Sequence, residues 1–225
     1  MNRKIKTLRT LLKNEDIIIA PGASTALFAR VIEDVGFNVV YATGAGISNM
    51  NFAFPDIGLT TMNEILETCK RINDAASLPI IADIDNGYGN PINVYRTVKE
   101  FAKAGIAAIQ IEDQVSPKRC GHFENNDVIL PEEMVYKIKA ARDANNDIVI
   151  IARTDAIAVN GLEDAILRAS QYAESGADMI FVEAPFNIEQ LQKIPKSIDL
   201  PCVANMLEGG KTPIVSTDDL KNMGY

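Results

Sequence analysis

The sequence predicts an α/β fold, a parallel (β/α) barrel of the TIM type, and two observations carry that expectation. Strand-like and helix-like segments alternate from one end of the chain to the other, and nearly every strand-like run finishes on polar residues at its carboxyl end. An open doubly wound sheet would concentrate such residues around one switch point, whereas a barrel gathers them at a single mouth.

Seven short runs rich in Ile and Val read as strands: Asp16 to Pro21, Asn38 to Ala42, Leu78 to Asp83, Ala107 to Glu112, Asp147 to Ala152, Asp178 to Glu183 and Leu200 to Asn205. Each is almost continuously apolar, the pattern of parallel strands covered on both faces. Helical period fills Ala26 to Val35, Met62 to Ala76, Ile92 to Ala104, Glu132 to Asn145 and Leu162 to Ser175. Gly36, Gly105 and Gly176 follow three of these segments, where a helix C-cap takes a left-handed residue. The N-terminal MNRKIKTLRTLLK reads as a solvated first helix, without the continuous apolar core of a signal peptide. Thr43-Gly-Ala-Gly46 follows a strand, but Asn49 replaces the third glycine of a dinucleotide fingerprint, so the motif is weak. A closed barrel needs eight strands, and the chain reaches Tyr225 just after the helix-like Thr217 to Met223. The expectation is one barrel domain over residues 1–225, with seven strands readable and the eighth strand and C-terminal helices missing.

Composition narrows the partners. Of 225 residues, 47% are hydrophobic and 23% charged, with no linker-like composition shift, as in a soluble globular domain. A net charge of −8 with scattered Lys and Arg argues against nucleic acid. No window approaches the roughly 18 apolar residues of a membrane span. Cys69, Cys120 and Cys202 form neither a disulfide framework nor a CxxC pair, which with no export signal points to a cytoplasmic protein with free thiols.

The strand ends supply Asp83 and Asp85, Glu112 and Asp113, Arg153 and Asp155, and Glu183. Any one acidic residue could simply cap the next helix, but four strand ends bearing them together predict a site. Carboxylates crowded in a partly desolvated pocket repel one another unless a cation offsets them, and a hard divalent ion is the natural one. Asp83 and Asp85 alternate along the chain and so face the same side. In the loop Pro117 to His122, Cys120 lies among Lys118, Arg119 and the only histidine, a setting expected to lower its pKa. Cys69 and Cys202 sit in apolar runs and read as inert. Gly121 and the polar run His122 to Asp127 read as a lid.

Lys118-Arg-Cys-Gly-His122 resembles the signature loop of the isocitrate lyase and phosphoenolpyruvate mutase superfamily. Tyr41-Ala-Thr-Gly44, Phe54-Pro-Asp56, Asp83-x-Asp85, Glu112-Asp-Gln, Ala152-Arg-Thr-Asp155, Phe181-Val-Glu183 and Asn205-Met-Leu-Glu-Gly-Gly-Lys-Thr-Pro213 are similar to it as well. The resemblance implies Mg2+, or Mn2+ in its place, bound directly by Asp85, with Asp83 and Glu112 holding metal-bound waters. It implies that the backbone at Thr43, Gly44 and Ala45, with Arg153, grips an α-keto acid carboxylate. Cys120 is then the proton donor, supported by Lys118 and His122. Gly121, Glu183 and Asn205 meet the other half of the substrate. Tyr41, counted with the catalytic group, completes the pocket floor with Asp56.

The implied function is Mg2+-dependent carbon–carbon cleavage of a small 2-hydroxy di- or tricarboxylic acid, of the 2-methylisocitrate or substituted malate type. Its products would be a keto acid such as pyruvate and a carboxylate such as succinate. The implied assembly is a homotetramer. Two alternatives stay open: a phosphonomutase or oxaloacetate decarboxylase of the same superfamily, and a non-catalytic truncated barrel or assembly subunit. The Cys loop favours the lyase, since it supplies a proton donor that those sister reactions do not require.

Overall fold

The computed structural model describes residues 2–13, 17–122 and 126–225. Its elements, in chain order, are α1 (Arg3–Leu11), β1 (Gly22–Ala23), α2 (Ala26–Asp34), β2 (Val40–Ala42), α3 (Gly44–Phe52), α4 (Met62–Ala75), β3 (Ile80–Asp83), α5 (Pro91–Lys103), β4 (Ala108–Glu112), α6 (Pro131–Ala144), β5 (Val149–Thr154), α7 (Ala156–Asn160), α8 (Leu162–Glu174), β6 (Met179–Val182), α9 (Ile188–Lys196), β7 (Cys202–Val203) and α10 (Thr217–Met223).

The strands form one seven-stranded sheet in the order β1 to β7, every neighbouring pair parallel. A doubly wound sheet reverses its strand order once. Here the order never reverses, which is the winding of a barrel wall, with β1 and β7 as its two edges. Continuous apolar runs become strands because both faces are covered: all of β3 to β6 is buried. On β4, Gln110 and Glu112 meet site residues inside the wall. Ile111 instead reaches toward Val94 of α5, and a Cβ on Gly87 would be within 2.9 Å of both side chains.

The helices begin where local chemistry permits. Thr61 and Glu64 close a capping box on α4, Asn90 and Asn93 do so on α5 with Pro91 behind them, and Ser216 and Asp219 do so on α10. Such caps satisfy amide donors that a helix start leaves bare, at about 1 kcal/mol each.

Three points depart from the sequence reading. The first strand is Gly22–Ala23, not the run to Pro21. Asp16 lies outside the described residues, and Ile17 to Ala20 owe their apolar character to lining the central cavity, not to pairing. Among the described residues of that run only the carbonyl of Pro21 joins the ladder, accepting from Tyr41 N–H. Next, α1 is more than a solvated helix. Ile5 and Leu8 are buried, Lys4 Nζ donates to Asn73 O and Ala76 O, and Arg9 pairs with Asp178. Burial of those two side chains contributes about 1.5–3 kcal/mol each. Finally, α3, α7 and α9 were absent from the reading. α3 is built of Gly, Ser and Asn with little apolar period, and α9 carries Pro195. Among the described residues no helix is long and apolar enough to cross a membrane.

Candidate active site

The carboxyl ends of the strands open into a cavity of about 690 Å³ lined by Tyr41, Thr43, Ala45, Asp56, Asp83, Lys118, Cys120, Gly121, His122, Arg153, Glu183 and Asn205. Gly44, Asp85 and Glu112 stand just behind that wall, in contact with Asp83, Lys118 and Arg153 respectively. The residues read as metal, substrate and proton-donor groups therefore meet at one mouth, whereas Asp113, though at a strand end, bonds to Thr154 and Tyr172 behind it and Arg119 is exposed. A second cavity, of about 470 Å³, lies among Asn2, Lys4, Asn73 and Gly105 and contains neither a carboxylate nor a thiol.

The floor is acidic. Asp83 accepts from Gln110 Nε2 at 3.2 Å, from the Asp85 backbone N–H at 3.1 Å and from the Gly44 N–H at 3.2 Å. The Gly44 amide is thus taken by Asp83. A Cβ on Gly44 would sit 2.9 Å from Asp83 Oδ2 and 3.4 Å from Asp85 Oδ1, so the carboxylate pair needs glycine there. Lys118 Nζ lies 2.5 Å from Asp56 and 2.7 Å from Asp85.

Burial dominates the protonation of these groups. It pushes Asp85 up to about 6, with the Lys118 ammonium opposing it, and holds Glu112 well above the usual carboxylate range despite Arg153 and Lys118. Lys118 loses stability as a cation through burial, but Glu112, Asp85, Asp83 and Asp56 together more than offset this and raise its pKa.

These residues fit a hard divalent ion. Glu112 Oε1 is a buried oxygen without a hydrogen-bond donor, Asp85 Oδ1 meets only the Lys118 ammonium, and four carboxylates surround that single ammonium. Among the described residues no three His, Cys, Asp or Glu side chains form a cage by themselves. Mg2+ keeps several waters and takes one or two carboxylates directly, so Asp85, with Glu112 and Asp83 nearby, offers donors of the kind it uses.

The opposite wall is built around Arg153, at the end of β5. Asp155 grips its guanidinium through two hydrogen bonds, at 2.9 and 2.8 Å, while Glu183 lies 3.2 Å and Glu112 3.5 Å away. The Phe181 ring lies 5.2 Å from its carbon, so the cation is also held by a π face. Beside it, α3 starts at Gly44 with the Thr43 side chain accepting from Gly46 N–H. Helix N-termini favour anions.

The Cys120 loop lies across this mouth. Cys120 N–H donates to Asp56 O at 3.1 Å, and Asn126 Nδ2 donates to Cys120 O at 3.2 Å. His122 Nδ1 accepts from the Lys211 N–H at 3.0 Å, and its Nε2 lies 3.5 Å from Glu183 and from Asn205. The lid residues Phe123, Glu124 and Asn125 lie outside the described residues. One expectation is corrected: the thiol pKa is raised, not lowered. Burial leads, the Asp56 and Glu183 charges add to it, and a His122 backbone donor and Arg153 oppose it. The basic neighbours are spent elsewhere, since Lys118 faces the floor and Arg119 is exposed. Cys69 and Cys202 are buried, with pKa values raised by burial.

Gly121 has the tightest fit of the loop. A Cβ there would lie 2.5 Å from Arg153 Nη2, 2.6 Å from Asp155 Oδ1 and 2.6 Å from Glu183 Cγ. Gly121→Ala should therefore lift the loop while leaving the barrel folded. A 1 Å displacement costs about a hundredfold in rate, so turnover should fall by about that factor at an unchanged unfolding midpoint. Wild-type kcat in a steady-state assay would refute this.

One contributor is not singled out by the sequence. Gln110, fully buried, donates to Asp83 and accepts from Tyr41 OH, orienting both. A lone amide inside an apolar strand, two residues before Glu112 and so on its face, is the available signal. Gly210, part of the Asn205 to Pro213 motif, packs against His122, and a Cβ there would be 2.9 Å from His122 Cε1.

Comparison with known proteins agrees with this geometry. The family model described as phosphoenolpyruvate phosphomutase matches residues 8–225. A 2,3-dimethylmalate lyase of Eubacterium barkeri is 46% identical over 227 residues, covering 100% of this chain and 78% of that protein. A 2-methylisocitrate lyase of Shewanella oneidensis is 45% identical, over 96% of this chain and 75% of its own length. Among solved structures, a 2,3-dimethylmalate lyase described as a PEP mutase/isocitrate lyase superfamily member superposes with a TM-score of 0.96 at 37% identity, covering 100% of this chain and 77% of that one. A phosphonopyruvate hydrolase in complex with oxalate and Mg2+ superposes with a TM-score of 0.88 at 31% identity, over 100% of this chain and 78% of that one.

Proposed function

Because the chain belongs to the phosphoenolpyruvate phosphomutase family of the PEP mutase/isocitrate lyase superfamily, and lyases are among its close relatives, we propose that it cleaves a carbon–carbon bond in a small 2-hydroxy acid with the help of Mg2+. The observation that carries this reading is the Cys120 thiol, which lines the cavity on a loop tied to Asp56 of the acidic floor.

Asp85 would hold the ion directly, with Asp83 and Glu112 reaching it through waters. When bound, the ion supplies Lewis-acid stabilisation of negative charge on the substrate oxygens. Arg153 and the N-terminus of α3 bind the carboxylate of the keto acid half, with Arg153 kept in plane by Asp155. His122, Glu183 and Asn205 face the other half, and the loop excludes water. As the hydroxyl gives up its proton to solvent and the adjacent carbon–carbon bond breaks, a keto acid departs and its partner fragment holds the electron pair as a carbanion. Cys120 gives its proton to that carbon, and the thiolate left behind is reprotonated from solvent. A raised thiol pKa suits this role, because the donor must carry its proton at neutral pH.

A substituted malate is the substrate this reading favours, by likeness to the 2,3-dimethylmalate lyase. The cations that line the cavity, Lys118 and Arg153, already hold carboxylates of the chain. Free thiols fit a reducing cytoplasm, and the homotetramer of this reading is checked by sedimentation.

The test is direct. Incubated with 2,3-dimethylmalate, the protein should release pyruvate and propionate in Mg2+ and fall to background in EDTA, with slower pyruvate release from 2-methylisocitrate. No pyruvate from either acid in Mg2+ would overturn the lyase reading, and metal-independent turnover would overturn the role of the floor.

A further inference from the structure

A second polar cluster lies behind Arg153, on the side away from the cavity. At its centre is Asp113, fully buried just past the end of β4. Its Oδ2 accepts from Thr154 Oγ1 at 2.7 Å, from Tyr172 OH at 2.8 Å and from Arg168 Nη1 at 3.3 Å. Its Oδ1 accepts from the Asp155 backbone N–H at 3.0 Å. Asp155 is the residue whose carboxylate grips Arg153 with two hydrogen bonds.

The same guanidinium reaches another segment. Arg168 Nη1 donates to Ile129 O at 2.8 Å, and Ile129 N–H donates to Asp113 O at 2.9 Å. Ile129 lies where the chain returns from the Cys120 loop, beside the bridge of Gln114 to Val128 and the bond from Val115 N–H to Asp127 O. Asp164, one turn earlier on α8, holds Arg168 Nε at 2.7 Å and aims the fork inward.

We infer that Arg168, outside the cavity on α8, is a positioning residue that sets both Arg153 and the return limb of the Cys120 loop by way of Asp113. A buried carboxylate needs some cation nearby, and charge balance alone would give Arg168 a place. That bland role does not require the fork to be shared between Asp113, Ile129 O and Asp164, which belong to three different segments. Shared in this way, one side chain ties the group that binds the substrate carboxylate to the return limb of the loop that carries the proton donor. The inference rests on the proposed function only for what Arg153 grips.

The test uses two variants and no turnover. Arg168→Lys keeps the charge but loses the fork, and Tyr172→Phe removes one donor to Asp113 with its ring retained. The probes are oxalate in saturating Mg2+ and Mg2+ alone, both by calorimetry, with hydrogen exchange at the Ile129 and Asp155 amides. Hydrogen bonds to charged groups predict about tenfold weaker oxalate binding in Arg168→Lys, and about threefold in Tyr172→Phe. Mg2+ affinity should stay within about twofold, and both amides should exchange faster. A purely structural role would lower the unfolding midpoint and leave the oxalate affinity of the folded protein unchanged. Wild-type oxalate affinity in Tyr172→Phe and in folded Arg168→Lys overturns the inference; should Arg168→Lys fail to fold, Tyr172→Phe alone decides. A wild-type protein that binds no oxalate in Mg2+ overturns it too. If no hydroxy acid is cleaved but the variants still weaken oxalate, the proposed substrates fall and the positioning role stands.

Discussion

Cys120→Ser should retain Mg2+ and oxalate binding and lose about 100- to 10,000-fold in kcat, the range for removal of a general acid. Serine nearly matches cysteine in shape, and the Cys120 backbone bonds to Asp56 and Asn126 do not involve the sulfur. The pocket should therefore survive. What changes is acidity: an ordinary thiol has a pKa of about 8.5, raised here by burial, whereas a serine hydroxyl is a far weaker acid. A loop cysteine without a role predicts no measurable loss, so the two readings are separated by at least about 2.7 kcal/mol of barrier. Steady-state kinetics on the best substrate decides, and wild-type kcat would shift support toward the mutase or decarboxylase reading.

The winding of the chain was legible because each buried strand is apolar on both faces, a pattern that needs no partner to be recognised. Strands β2, β3, β4, β6 and β7 fall within the runs read from the sequence, and β5 continues past its run, to Thr154. Failures came where apolarity had another cause. Ile17 to Ala20 look like a strand because they line a cavity. α3 shows no helical period because its start is built for close approach: a Cβ on Gly44 or Gly46 would meet Asp83 or Thr43. Helical period vanishes from such a segment, and only the Thr43 cap marks its start.

The site was legible to a different depth. Residue types at strand ends gave its membership, because a barrel sends all those ends to one mouth. They could not give pairing. Lys118 and Arg119 are adjacent in sequence to Cys120, yet one is buried between Asp56 and Asp85 and the other is exposed. Charge read along the chain therefore predicted a lowered thiol pKa, while desolvation, which sequence does not display, raised it. Gln110 was hidden by the same limit, since its value lies in touching Asp83 and Tyr41 from two other strands.

Asp85→Asn should abolish Mg2+-dependent turnover while sparing the fold. Asparagine is the right probe because Asp85 has φ 50, a left-handed conformation that Asn adopts more readily than other non-glycine residues. The amide keeps the size of the side chain, and Lys118 keeps Asp56 at 2.5 Å as its counter-charge. Relief of a buried carboxylate whose pKa is already pushed up to about 6 offsets part of the lost ion pair, so the unfolding midpoint should shift little. Metal affinity should not survive. Loss of a residue that merely orients a ligand typically costs about 10- to 100-fold in affinity, and a direct ligand should reach or exceed the upper end. Calorimetry with Mg2+ and with Mn2+ measures this apart from catalysis. Wild-type affinity in Asp85→Asn would place the ion elsewhere, whereas lost affinity together with unchanged turnover would mean that the floor serves no metal in the reaction.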